Sequence, residues 1–279
     1  MPKGKESAEI LVQQLDRMEV DVYLVGESPL VMNSMSVKAK RGLLMPLRTG
    51  RMTTAEKAAN LKHNPLEEFR ESTYRYDDDL DGQQPTRCYF KASGFKQSIM
   101  TAALDTPGAK KAQIGRLLRV EGQTVGIYGI PQIWITGVKG ADIARTPDMR
   151  TRAILPEWCA HLKVSYVTPN LRRDTVATLL GNAGEIAGIG DGRQEKGALD
   201  FGRWRLVGEK DAVYQAIVKA QGREAQDLAL AEPAPYDGET RDLFEWFCRE
   251  FEKRPQPRGM SSLNGDKASV EEEVEEATE

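Results

Sequence analysis

Gly188-Ile189-Gly190-Asp191-Gly192-Arg193-Gln194-Glu195-Lys196-Gly197-Ala198-Leu199-Asp200-Phe201-Gly202-Arg203-Trp204-Arg205-Leu206 is the stretch from which the rest of the chain is read. It holds five glycines and four cations between a helix-like stripe and an alternating, strand-like run. Glycine lets backbone take φ > 0 and approach another molecule closely. Arg and Lys match phosphate in charge and geometry. A dinucleotide or P-loop site runs strand, glycines, helix, with the helix N-terminus on the phosphate. Here the order is helix, glycines, strand, which argues against a nucleotide-cofactor loop. No cofactor is expected, and the alternative to a binding loop is a solvated surface loop.

Upstream, Val176, Leu179, Leu180, Ala183, Ile186 and Ala187 recur at helical spacing from about Leu171. Trp158 to Tyr166 alternates: Trp158, Ala160, Leu162, Val164 and Tyr166 on one side, Cys159, His161, Lys163 and Ser165 on the other. After the glycines, Phe201 to Val207 reads as a strand with Trp204 and Leu206 opposed to Arg203 and Arg205. Val20 to Val25 is an earlier strand, ended by Gly26 and Ser28-Pro29. A helix is expected from an N-cap at Ser93, with Phe95, Ile99, Ala102 and Ala103 on one face before Pro107. A strand region covers Val125 to Ile135, broken at Pro131, and a short helix is expected around Ile10 to Met18.

Together these make β-α-β-β-α-β, an α+β chain with a ferredoxin-like, RRM-like core over 19–208. Two basic insertions, at about 31–90 and 138–156, interrupt it. Residues 209–254 form a helical extension, Lys210 to Gln221 and Glu239 to Lys253, and 255–279 a disordered linker and acidic tail.

Charge is unevenly placed. Residues 271–279 hold six acids and no base, so the other 36 acids face all 39 bases and the body is mildly basic. A tail of like charges with little apolar surface does not fold alone. Between Lys38 and Lys62 there are seven cations against one acid, Glu56. Lys38, Lys40, Arg41, Arg48 and Arg51 read as an arm able to lie along phosphates, or as a solvated loop paired with Asp77-Asp78-Asp79 and Asp81. Arg150 and Arg152 offer a second rim, and Lys163, Gly190, Gly192, Arg193, Lys196, Arg203 and Arg205 complete the expected binding set.

Catalytic chemistry finds less support. His161 beside Lys163 can be a general acid or base, or a solvated surface histidine. The aspartate run lacks a second acidic cluster for two-metal chemistry. Three well-separated cysteines, Cys88, Cys159 and Cys248, show neither metal-ligand spacing nor a disulfide framework. No run approaches the ~20 apolar residues of a membrane span, and no signal peptide is evident. A cytoplasmic protein without a membrane partner is expected, in the host cell if phage-encoded. Tyr23 and Phe201 are stacking candidates or supports for an insertion; Trp134, Trp158, Trp204 and Trp246 read as core.

The glycine loop after the second helix and before the fourth strand resembles that of the RAMP superfamily, which includes the repeating backbone subunits of CRISPR effector complexes. The chain is also similar to a group of phage-encoded proteins. The shared motifs are Gly26-Glu27-Ser28-Pro29-Leu30-Val31-Met32, Pro147-Asp148-Met149-Arg150-Thr151-Arg152 and the loop at 192–197. The resemblance covers roughly 19–208. It implies thumb-like and web-like insertions holding a single strand of DNA or RNA against a palm, with several subunits along it. The catalytic-histidine arrangement of RAMP endonucleases is missing. The acidic end resembles the tails of single-stranded DNA-binding proteins, which implies a replication or recombination partner, against a purely solubilising role. The expected function is non-enzymatic single-strand binding in phage replication or recombination. The alternatives are a guide-RNA backbone subunit, a metal-independent ribonuclease using His161, and a scaffold protein.

Overall fold

The computed structural model describes residues 14–45, 63–77, 82–139, 147–196 and 199–253, with backbone alone at Lys38, Arg41, Gly42, Lys139 and Lys196. Arg48, Arg51, most of the aspartate run and the acidic tail lie outside the described residues. The fold is α+β, built on two antiparallel sheets.

The larger sheet takes its centre from two long strands, β1 (Asp16–Gly26) and β8 (Cys159–Thr168), paired antiparallel from Asp16↔Thr168 to Val25↔Cys159. Alternation is the cause. Val20, Val22 and Leu24 on β1 oppose Val164, Leu162 and Ala160 on β8, and these form one inner face. β9 (Trp204–Val207) pairs with the free side of β1. β5 (Thr124–Tyr128) pairs with β8 and β3 (Tyr89–Lys91) extends beyond it, giving the order β3-β5-β8-β1-β9; β4 (Leu118–Val120) adds to the other end of β8.

Two helices cover the inner face. α3 (Ala92–Ala102) buries Phe95, Ile99 and Ala102, and α5 (Arg173–Asn182) buries Val176, Leu179 and Leu180. Trp158 and Trp204 are fully buried, and each indole N–H has a carbonyl: Ser28 O at 2.9 Å and Leu180 O at 3.2 Å.

The smaller sheet has the order β2-β7-β6, from β2 (Leu30–Met32), β6 (Gln132–Lys139) and β7 (Pro147–Leu155). β1 passes into β2 across Ser28-Pro29, so the chain leaves one sheet and enters the other. α2 (Pro65–Ser72) packs on this sheet, capped by Asn64. α1 (Val37–Leu44) stands out with Leu43 and Leu44 exposed. α4 (Lys111–Leu117) leads into β4.

The C-terminal helices close the open margins. α6 (Ala212–Ala220) lies on the outer face of the large sheet, where Tyr214 and Ile217 pack on Val25 and Cys159. α7 (Arg223–Ala231) carries Gln226, whose buried amide accepts from the backbone N–H groups of Arg87 and Cys88 and donates to the carbonyls of Ile127 and Gly129. α8 (Gly238–Glu252) and the segment before it cover the outer edge of β6, with Ile133 N–H on Ala234 O and Ile135 N–H on Thr240 Oγ.

Several expectations change. The region Val125 to Ile135 is two strands in different sheets, because Gly129 to Pro131 turn the chain between them. Within the expected insertion at about 138–156, Pro147–Leu155 is a strand, β7, paired antiparallel with β6 from Gln132. Asp16 to Met18, read as helix, belong to β1 through β-sheet pairing with β8. Lys91, not Ser93, caps α3, and its side chain makes no capping bond. Ile186 leaves the apolar stripe and is 39% exposed, since Ala183–Ala187 form a π-helical turn that rotates the register. Phe201 precedes β9 rather than starting it. Trp246 is 57% exposed on α8 and Trp134 is only half-buried, so neither is a core residue. α7 has no counterpart in the expected elements.

Candidate nucleic-acid interface

Three segments far apart in sequence meet where β1 hands over to β2. The glycine loop folds back on itself and lies against the strand entry. Asp191 N–H donates to Val31 O at 2.9 Å, Gly202 N–H to Pro29 O at 2.8 Å, and Ile189 N–H to Gly202 O at 3.0 Å. Two glycines are required by this contact. Gly190 has φ +87°, and a Cβ there would stand 2.6 Å from Val31 O; Gly202 has φ +71°, and its Cβ would collide with the carbonyl of Ile189. Gly192 shares the positive φ.

Asp191 is the hub. Its carboxylate takes Arg152 Nη2 at 3.0 Å, Asn33 Nδ2 at 3.1 Å and the Gly192 N–H at 3.1 Å. The Arg152 side chain is 13% exposed; burial pushes its pKa down, and the Asp191 charge opposes that shift. On the other side of the loop Ser28 receives the Arg203 N–H on its Oγ at 2.9 Å, and Glu27 N–H donates to Arg203 O at 2.9 Å. Thus the motifs at 26–32, 147–152 and 188–205 form one unit.

Beyond the loop, cross-strand pairing places Trp134 opposite Arg152 and Thr136 opposite Arg150 on one face of the small sheet. The Trp134 ring meets Phe201 edge-on at 5.5 Å and Tyr236 at 6.3 Å. This face therefore combines half-buried aromatic rings with arginines. Sequence reasoning missed Trp134 as a surface residue. The signal was the alternation of Ile133 and Ile135, which are buried, with Trp134 and Thr136.

The expected binding residues divide by place. Arg150, Arg152, Gly190, Gly192 and Arg193 come together here. Arg150 is exposed and has no acid partner among the described residues. Arg193 is spent on the loop itself, through Gly190 O at 2.8 Å and Glu195 at 3.1 Å. Arg203 stands at the loop exit, 3.6 Å from Glu27, beyond hydrogen-bond length. Lys196 lies in a 3₁₀ turn at Gln194–Lys196. Arg205 projects on the outer face of the large sheet beside Val25, 3.7 Å from Asp211. Lys163 is on that same face opposite Asp21, roughly 13 Å farther along β1 at ordinary strand rise. α6 packs on Val25 and Cys159 between them, so Lys163 is outside this cluster. Lys38, Lys40 and Arg41 stand on α1. Arg152 and Arg203 each keep a buried Nε with no hydrogen-bond partner among the described residues.

His161 does not join the cluster. Its Nε2 is 2.8 Å from Asp21 and its ring stacks on Tyr23 at 4.7 Å. Tyr23, a stacking candidate, thus stacks on His161 and meets Tyr214 edge-on at 5.3 Å. His63 bridges Glu68 at 2.8 Å and Asp148 at 3.1 Å, linking α2 to β7. No His, Cys, Asp and Glu grouping suited to a metal ion occurs among the described residues, and no described helix is long and apolar enough to cross a membrane.

No protein-family model and no curated protein matches the chain. Among solved structures it is similar to one described as "Cryo-EM structure of the Type III-B Cmr-beta bound to cognate target RNA", with 12% identity and a TM-score of 0.35. The match covers 69% of this chain and 59% of that one, so the chain spans less than two thirds of its length. A likeness this faint carries no weight for fold or function.

Proposed function

We propose that this protein binds single-stranded DNA or RNA without catalysing a reaction on it. The observation that carries the reading is the convergence of three separate segments on Asp191 and Arg152, with exposed Arg150 two residues before Arg152 on β7 and Arg203, its side chain 30% exposed, at the loop exit. An exposed guanidinium suits a phosphate oxygen, which supplies the acceptor and the counter-charge together. Arg150 adds a cation with no acid partner among the described residues, and Trp134 and Phe201 add ring faces and edges on which bases can stack. The paired state of Arg193 assigns it to shaping the loop.

The same proposal includes a ferredoxin-like, RRM-like core. The order β5-β8-β1-β9, with α3 between β1 and β5 and α5 between β8 and β9, fits the βαββαβ scheme. A place in phage DNA replication or recombination, with copies side by side along a strand, is supported by the sequence motifs alone.

The test is fluorescence anisotropy with labelled single-stranded oligonucleotides over a range of salt. The unmodified protein binds, and binding weakens steeply with salt. The Arg150→Glu, Arg203→Glu double variant loses at least ten-fold in affinity, and its log–log salt slope flattens by about 0.7 for each phosphate contact removed. Equal affinity in a folded double variant overturns the assignment.

A further inference from the structure

A cleft of about 610 Å³ opens between the segment before α1, the end of α2, residues 73–77 and α7. It is separate from the Arg152 cluster, and Lys40, Tyr74, Arg75, Tyr76 and Tyr89 are among the residues on its walls. Its volume suits a small ligand.

The tyrosines are grouped. The rings of Tyr76 and Tyr89 lie 4.8 Å apart and those of Tyr74 and Tyr89 5.8 Å apart, both tilted. The acids of the cleft are engaged elsewhere. Asp227 holds Arg87 Nε at 2.5 Å, Glu71 accepts from Val37 N–H at 3.3 Å, and Asp77 has a partner of its own. Arg70 donates to the carbonyls of Leu230 and Ala231, and no acid lies within ion-pair distance of it among the described residues. Lys40 and Arg75 are exposed, and neither has an acid within ion-pair distance among the described residues.

These facts select a ligand. A wall of charged groups does not suit an apolar molecule. A simple anion leaves the tyrosine group unused, and an uncharged ring leaves Lys40 and Arg75 unused. A group that is aromatic at one end and anionic at the other uses both. Arg75 pairs with Cys88 in the extended stretch, so it alternates with Tyr74 and Tyr76 along it. Tyr76 is buried, so Tyr74 and Tyr89, both half-buried, carry the open ring surface of the cleft that Arg75 and Lys40 also line.

We propose that this cleft binds a 5′-phosphorylated nucleoside, its base on Tyr74 and Tyr89 and its phosphate on Arg75 and Lys40. That chemistry has two sources, a free nucleotide and the phosphorylated 5′ end of a strand. The inference goes beyond the strand-binding reading and does not need it. The cleft nevertheless opens beside the interface, since Tyr74 Oη donates to Asn33 O at 3.3 Å and Asn33 holds Asp191.

The experiment measures binding of AMP by equilibrium dialysis, and binding of matched 5′-phosphate and 5′-hydroxyl oligonucleotides by anisotropy, to the full chain and to Arg75→Glu. Arg75 is exposed, and an unchanged melting temperature confirms folding, with Arg75→Gln as the milder variant. AMP binding lost at least ten-fold in Arg75→Glu supports a free-nucleotide site. A 5′-phosphate preference abolished in Arg75→Glu, without AMP binding, supports a strand-end site. Neither AMP binding nor 5′-phosphate preference, or both unaffected by Arg75→Glu, overturns the inference. Failure of both oligonucleotides to bind strikes the strand-binding reading and leaves the AMP result standing.

Discussion

Arg152 on β7 and Asp191 in the glycine loop form a 3.0 Å ion pair that joins the small sheet to the loop preceding β9. The pair has two consequences in opposite directions. It holds the loop in register with Val31, and it occupies part of an arginine that a phosphate could use.

Asp191→Asn keeps an acceptor and removes the charge. Stability falls by about 1 kcal/mol, the worth of one charge-assisted contact in a partly exposed setting. Affinity for single strands rises, because Arg152 no longer has a competing anion. Urea unfolding and anisotropy measure the two effects on the same sample.

Gly202→Ala and Gly208→Ala separate backbone demand from composition. The Gly202 Cβ would meet the Ile189 carbonyl at a positive φ, whereas nothing lies within 4 Å of a Cβ at Gly208. Gly202→Ala loses more than about 2 kcal/mol, and Gly208→Ala stays within about 0.5 kcal/mol of the parent. Thermal or urea unfolding decides it.

Arg150→Glu changes binding without changing the fold. The residue is exposed and has no acid partner among the described residues, so the variant's melting temperature stays with the parent, while the salt slope falls by about 0.7. Arg152→Glu does both kinds of damage, since it sets two carboxylates face to face where Arg152 now holds Asp191.

Burial pushes the thiols of Cys88 and Cys159 up to about 12 and that of Cys248 up as well. In the folded protein at neutral pH, a thiol reagent modifies Cys248 first and leaves the two buried cysteines until unfolding. The buried thiols hold their protons more tightly folded than unfolded. Their contribution to stability is therefore complete below the unfolded value near 9 and is lost as pH rises toward 12. Unfolding measured across that alkaline window falls in free energy.

Incubation with labelled RNA, with and without chelator, leaves the strand intact, and His161→Ala behaves like the parent. The ring of His161 is occupied by Asp21 and Tyr23. Cleavage that His161→Ala abolishes would overturn the non-enzymatic reading.

The chain by itself determined its central strands and two covering helices. Alternation at Trp158 to Tyr166 and helical spacing at Val176 to Leu180 are local patterns, and burial of one face follows from them. It also marked the glycine loop, because the positive φ values at Gly190 and Gly202 need glycine whatever surrounds them. Tertiary structure alone decided which cations share a face. Lys163 and Arg205 read like Arg150 and Arg152 in sequence, yet the pairing of β1 with β8 and β9 carries the first two to the outer sheet face. It likewise decided that Trp134 is half-exposed and that Asp191 neutralises Arg152. Charge and ring contacts between residues well over a hundred positions or only tens of positions apart depend on how sheets stack, and no local period encodes that.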